Sequence, residues 1–381
     1  MNRRDFLRYT TIGAAVLMAT PSLSFAAANT DRRFIFIIQR GAADGLNIVI
    51  PYADPAYAKL RGALAIDVTQ AIKLDSMFAL HASLAETAKL YVGGQAILVH
   101  AVASPYRDRS HFDAQNVLET GGVSPYQLKD GWMNRLLSLL PQAQNEAIAF
   151  ASSVPMALRG KIEVSSYAPS ALPQASDDLM LRVGQLYADD AQLHSLWTAA
   201  IAANNMADDA GAKQDLASLG KLAASFIVKA DGPRIAMIET GGWDTHTAQE
   251  ERLARQLKSL DSLIAAFRDG LGPVWQKTTV LIATEFGRTA SANGTGGTDH
   301  GTGSSAMILG GDVNGGRVIS DWPGLAESNL YEGRDLKPTI NLDSLIASIT
   351  GASFGLDTNK VALALFPQVN AGKPLDNLIK V

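Results

Sequence analysis

The chain has 381 residues, 47% of them hydrophobic and 18% charged, with a formal net charge of -4 and a pI near 5.9. That composition supports one large or two ordinary packed domains and lacks the basic surface of a nucleic-acid binder. No cysteine is present, which excludes disulfides, thiolate metal sites, iron–sulfur clusters and a cysteine nucleophile.

The N-terminus reads as a targeting segment and is set aside from the fold. Asn2-Arg3-Arg4-Asp5-Phe6-Leu7-Arg8 carries adjacent arginines followed by Phe-Leu. A modestly apolar stretch follows, then Ser24-Phe25-Ala26-Ala27-Ala28, a small-residue cleavage pattern. The whole, residues 1–28, looks like a bacterial twin-arginine export signal, with an ordinary Sec signal or a chance basic N-terminus as the alternatives. The mature protein is expected to be periplasmic or secreted, with the twin-arginine translocase as its partner during export. No later segment has the length of a membrane span, about 18 apolar residues.

Phe34 to Ile38 is a continuous apolar run, as in a strand buried on both faces, and ends in the turn-rich loop Gln39 to Gly45. The spacing predicts a helix over Leu80–Val92, a second buried strand over Ala96–Val102, and a helix over Ser110–Thr120 stopped by Gly121-Gly122. Ala147–Ser152 reads as a third strand. Residues 176–230 turn Ala- and Leu-rich and read as a helical insertion or cap. Arg234–Glu239 is a strand, Glu250–Asp269 a long amphipathic helix, and Thr278–Thr284 a strand ending at Glu285. Ala290–Gly303 is a long loop, Ala306–Leu309 a short strand, and Ser344–Thr350 a helix. Strands alternating with helices predict a mostly parallel sheet covered on both faces.

Acidic and imidazole side chains collect where strands end, which is where side chains of an α/β sheet converge on a crevice. Asp44 follows the first strand, though a lone Asp is also an ordinary turn cap. Ser104 to Asp113 packs Arg107, Arg109, Ser110 and His111 around a helix start; the arginines would clamp an anion, and Ser110 is either an N-cap or a nucleophile. Asp244 and His246 lie two apart, a spacing that points both the same way on extended backbone. Glu285, at the end of an apolar strand, needs a metal or an ion-pair partner, and Arg288 competes for it. Asp299 and His300 sit in a Gly-rich loop, with solvation as the alternative reading. His81, His100 and His194 lie within or beside apolar elements and read as core or surface residues. The mixed donor set suits a divalent ion. No Walker A pattern, dinucleotide fingerprint, Gly-x-Ser-x-Gly elbow or His-Glu-x-x-His helix is present.

The export signal, Arg40-Gly41-Ala42-Ala43-Asp44-Gly45-Leu46, Ser110 to Gln115, Gly241 to His246, Glu285 to Thr289 and Asp299-His300-Gly301 together resemble the DUF1501 family, placed in the alkaline phosphatase-like superfamily. The resemblance implies a three-layer α/β/α sandwich with a mostly parallel central sheet and a helical insertion, in one domain over residues 29–381. It implies one or two divalent ions (Zn, Mg, Ca or Mn) on Asp44, Asp244, His246, Glu285, Asp299 and His300. Ser110 holds the nucleophile's place, beside Arg107, Arg109 and His111. The superfamily's more widely spaced Asp and His become Asp244 and His246, and its Asp-His-Gly becomes Glu285-Phe286-Gly287. The expected function is an exported metal-dependent hydrolase of phosphate or sulfate esters, acting on a small-molecule or glycan ester. The alternative is a non-catalytic envelope protein that keeps the fold for binding or assembly. A redox enzyme finds no nucleotide fingerprint to support it.

Overall fold

The computed structural model describes residues 31–141, 146–168, 183–188, 190, 193–194, 197, 215–368 and 372–380. The export segment lies outside them, as does most of 176–230. In chain order the strands are β1 Arg33–Gln39, β2 Val49–Ile50, β3 Ala71–Lys73, β4 Ala79–His81, β5 Ala96–Ala103, β6 Ala147–Phe150, β7 Ser165–Ser166, β8 Ile235–Thr240, β9 Thr278–Thr284, β10 Ser304–Leu309, β11 Arg317–Ile319 and β12 Ile340–Asn341. The helices are α1 Gly45–Ile48, α2 Tyr57–Arg61, α3 Ala85–Val92, α4 His111–Thr120, α5 Trp132–Leu137, α6 Leu216–Ile227, α7 Gln249–Leu271, α8 Leu342–Phe354 and α9 Thr358–Leu365.

The main sheet runs β11-β5-β10-β9-β1-β8-β6-β7, with β12 also on β5. β9, β1, β8, β6 and β7 are mutually parallel along their pairings; β10 alone runs against both its neighbours, β9 and β5. All seven residues of β1 are buried. Phe34, Phe36 and Ile38 point into one core with α5, α8 and α9, while Ile35 and Ile37 point into the other with α3, α6 and α7. That alternation explains why the strand reads as an unbroken apolar run: each face is covered by helices. The three-layer α/β/α architecture with a mostly parallel sheet is therefore the observed one.

One sequence expectation changes. The helix expected over Leu80–Val92 begins only at Ala85, because Ala79–His81 is a strand of a separate small sheet, β2-β4-β3. Phe78, Leu80 and Leu84 are buried in the same core, so apolar spacing there served a strand, a turn and a helix in succession. The described end of residues 176–230, α6, packs on α7 and buries Leu222, Phe226 and Ile227 in the core, so this helix is part of a covering layer.

α3 is capped from outside its own segment. Asp261, buried on α7, accepts the N–H groups of Glu86 and Thr87 at 2.8 Å each and the Thr87 hydroxyl at 2.7 Å. One carboxylate thus satisfies helix-start donors that have no partner within the helix. Asp261→Ala strands those donors and is expected to cost about 1–3 kcal/mol, read as a lower urea midpoint at unchanged m-value.

Candidate metal centre

The site is built at one edge of the sheet. β1, β8 and β9 all end there, leading into the loops 40–44, 241–246 and 285–288. β5 reaches the same edge and continues through Ser104–Ser110 into α4. Because β10 is antiparallel, its start lies at the edge where its neighbours end, so the loop carrying Asp299 and His300 enters from the same side. Gly41 lets two of these loops touch: at φ 116°, a Cβ here would stand 2.7 Å from the Asp244 nitrogen.

Three imidazoles converge. His300 Nε2 lies 3.0 Å from His111 Nε2 and 3.0 Å from His246 Nε2. The opposite nitrogen of each ring is held by an acceptor. His111 Nδ1 faces Glu285 Oε1 at 2.9 Å, His246 Nδ1 faces Asp299 Oδ1 at 3.1 Å, and His300 Nδ1 faces the Arg109 carbonyl at 3.0 Å. A carbonyl and ionised carboxylates only accept, so each Nδ1 carries the proton. The three Nε2 atoms face one another and Asp244, an arrangement that suits a shared cation: a metal ion, or a proton on one of the rings. Asp244 completes the group: Oδ1 lies 3.0 Å from His246 Nε2 and 3.4 Å from His300 Nε2, and Oδ2 lies 3.5 Å from His111 Nε2. The donor atoms of His111, Asp244 and His300 lie within 4.8 Å of one another. Imidazoles oriented by carboxylate or carbonyl, with one carboxylate beside them, fit a zinc-like divalent ion better than the oxygen-only shell of Mg or Ca.

The surrounding charges are set by contacts. Hydrogen bonding to Glu285 raises the His111 pKa, while burial, then the neighbouring His111, lowers that of His300. Burial opposes ionisation of Glu285, yet bonds from His111, Gln115 and the Gly41 N–H hold its pKa below the usual range. Burial likewise works against Asp244, and buried Arg288, 2.5 Å from Oδ1, outweighs it and lowers the pKa.

Of the expected ligands, Asp244, His246 and His300 are brought together, and His111, expected in catalysis, stands among them. Glu285 and Asp299 take places behind His111 and His246, where each orients a ring. Arg288, expected to compete for Glu285, pairs with Asp244 because its carbon precedes a loop that turns back over Thr298, whose hydroxyl accepts from Arg288 Nε at 3.1 Å. Asp44 is not part of the cluster. It is buried, ion-paired with buried Arg61, bonded by Gln249, and accepts the Leu46 N–H at 3.1 Å as the cap of α1. The two arginines expected to clamp an anion are committed elsewhere. Arg107 donates to the carbonyls of Ser104 and Tyr106, and Arg109 donates to Asp335 (2.9 Å) and Glu332 (2.5 Å). Ser110 is the residue before α4, but its hydroxyl makes no capping bond.

His100 is a core residue: Nε2 meets the Val49 carbonyl at 2.7 Å, and burial pulls its pKa down to about 4. Two residues were not singled out in the sequence. Gln115 joins Glu285 to Arg40, and Gln249 joins Asp44 to Thr245 and Thr298. Gln115 falls inside the Ser110–Gln115 motif; Gln249 carries no local signal.

The chain belongs to the DUF1501 family, described as "Protein of unknown function (DUF1501)", whose sequence model matches residues 31–366. No curated protein matches the sequence. Solved structures similar to it include a protein in the alkaline phosphatase superfamily from Vibrio parahaemolyticus, at 10% identity and TM-score 0.46, covering 98% of this chain and 79% of that one. The C-terminal periplasmic domain of EcEptC from Escherichia coli in complex with Zn is similar at 10% identity and TM-score 0.45, covering 94% and 95%. A putative sulfatase from Bacteroides thetaiotaomicron is similar at 9% identity and TM-score 0.43, covering 91% and 76%.

Glu285→Gln keeps the shape but removes the charge that orients His111. Metal affinity is expected to fall about 10–100-fold, measured by competition with a chelator of known affinity. A second outcome concerns Asp343, buried in the first turn of α8 with neither carboxylate oxygen hydrogen-bonded. Burial pushes its pKa up to about 7, against the opposing pull of Arg107. Unfolded, the same group ionises at about 3.9, so between these values the folded chain holds the extra proton. Its contribution therefore weakens stability as pH rises from about 4 to about 7. Asp343→Asn is expected to flatten that part of the stability–pH curve, measured by urea unfolding across the range.

Proposed function

We propose that this chain is an exported, metal-dependent hydrolase of phosphate or sulfate esters. The observation that carries the reading is the trio of imidazole Nε2 atoms turned on one point, each fixed from behind. His111, His246, His300 and Asp244 would hold the ion. When bound, the metal supplies Lewis acidity at an ester oxygen and a lower pKa for water or an alcohol beside it. The rest falls to the protein. Glu285, Asp299 and the Arg109 carbonyl keep the ligand tautomers fixed, and Arg288 keeps Asp244 ionised. Ser110, with a hydroxyl free of capping duty, is placed one residue from His111 and is the nucleophile in this reading; water is the alternative nucleophile.

The adjacent arginines Arg3 and Arg4 before Phe6-Leu7 support twin-arginine export, a route that carries folded proteins and so permits metal loading before export. No helix among the described residues is long and apolar enough to cross a membrane. Residues 29–381 would then act as one domain.

The second reading, a binding or assembly protein with a retained metal, is favoured by one observation: Arg107 bonds carbonyls of its own loop and Arg109 is paired with Asp335 and Glu332, so neither is held as a dedicated clamp for an anionic oxygen.

Elemental analysis of protein purified without added metal is expected to give about one divalent ion per chain, as for a site of four protein ligands. Purified protein should hydrolyse 4-nitrophenyl phosphate or sulfate, and His300→Ala should lose both ion and turnover. Ser110→Ala should lower kcat by at least about 100-fold with metal retained if its oxygen attacks, and by far less if water does. Metal without turnover of any ester selects the binding reading; no metal and no turnover refutes the hydrolase.

A further inference from the structure

This inference rests on the hydrolase reading and names the organic half of its substrate. α4 shows two adjacent stripes beside the metal centre. His111, Gln115 and Glu119, spaced by four, face the strand ends, where they bond Glu285 and Arg40. One residue further on lie Phe112 and Asn116, also spaced by four and turned about 100° around the helix. Phe112 is 82% exposed although it follows a ligand residue directly. Asn116 Oδ1 accepts the Tyr126 N–H at 2.6 Å, and Tyr126 is held at φ 61° beside the same stripe, 55% exposed. Its hydroxyl bonds to Asp113, the residue between. Two exposed aromatic side chains thus lie along one edge of the helix whose first residue, His111, faces the imidazole cluster, and Tyr126 is anchored there by Asn116 and Asp113.

Charge does not explain how an ester would be held there. Arg107, Arg109 and Arg288 are each engaged by protein acceptors. Beyond what an ion supplies at the ester oxygens, the alcohol part of the ester is the remaining source of binding energy, and exposed aromatic faces supply it through stacking and apolar burial. We propose that Phe112 and Tyr126 form a shelf that stacks a ring in the organic group of the substrate, so that the site selects ring-bearing esters, aryl or glycosyl, over small alkyl esters.

The test uses non-hydrolysable probes, so it does not depend on turnover. Binding of phenylphosphonate, methylphosphonate and a glucose phosphonate to the metal-loaded full chain is measured by calorimetry. At least one ring probe is expected to bind about 10-fold tighter than methylphosphonate, the scale of one aromatic contact. Which ring binds tells aryl from sugar. Phe112→Ala should remove most of that preference, leaving methylphosphonate affinity and metal content unchanged, and Phe112→Tyr should restore it. Equal affinity for ring and methyl probes overturns the shelf while leaving the hydrolase reading intact. So does a Phe112→Ala loss that is the same for every probe. Failure of all three phosphonates to bind metal-loaded protein refutes the hydrolase reading and the shelf with it.

Discussion

Three imidazole rings pinned from behind, with their Nε2 atoms turned on one another, are the constraint on which this site depends. Without a positive charge at their meeting point the arrangement is repulsive. The surrounding charges agree with that demand. Asp244, Glu285 and Asp299 face the rings, and among the described residues Arg288 is the guanidinium bonded to a member of the cluster's carboxylate set. With neutral rings, three carboxylates against one guanidinium leave a formal -2. The ring orientation and the charge balance both suit a cation at that point.

Part of the backbone strain of this chain lies at the site. Of the seven described non-glycine residues with positive φ, Ala42, Arg109 and Ala248 lie in or directly beside the loops that build it, while Ala101 lies within β5 and Asn377 near the C-terminus. Arg109 is the informative case. At φ 60° its carbonyl is turned toward His300 Nδ1, while its side chain is fixed by Asp335 and Glu332. The residue that looked like an anion clamp therefore serves the metal centre through its backbone. Its guanidinium is an anchor that keeps a strained turn in place.

Much of this was legible in the sequence. Unbroken apolar runs such as Phe34–Ile38 and Thr278–Thr284 identify doubly covered strands, because burial on both faces abolishes alternation. The clustering of Asp244, His246 and His300 followed from loops placed after such strands. What could not be read were partnerships set by tertiary direction. β10 runs antiparallel, a fact no local pattern records, and only that direction brings His300 against His111. Glu285 and Asp299 carry the right chemistry for ligands, but whether a carboxylate touches the ion or the far side of a ligand ring depends on about one side-chain length. The small sheet of β2, β3 and β4 escaped for a different reason: strands of two or three residues carry too little periodicity to read.

Asp44 shows how one buried cation changes the stoichiometry. Its position after β1 made it a natural ligand, and the resemblance allowed for two ions. Among the described residues, Asp44 is the carboxylate bonded to Arg61, whose side chain is fully buried. Releasing Asp44 to a metal would leave that guanidinium buried with only the Thr289 and Ala290 carbonyls, a change that costs about 3–5 kcal/mol when one partner of a buried pair is lost. Gln249 adds to the hold, since the amide that donates to Asp44 also receives the Thr245 and Thr298 hydroxyls and is thereby fixed in orientation. An ion at Asp44 would have to displace this whole arrangement. Asp44 and Gln249 instead support Thr298 and, through it, Arg288.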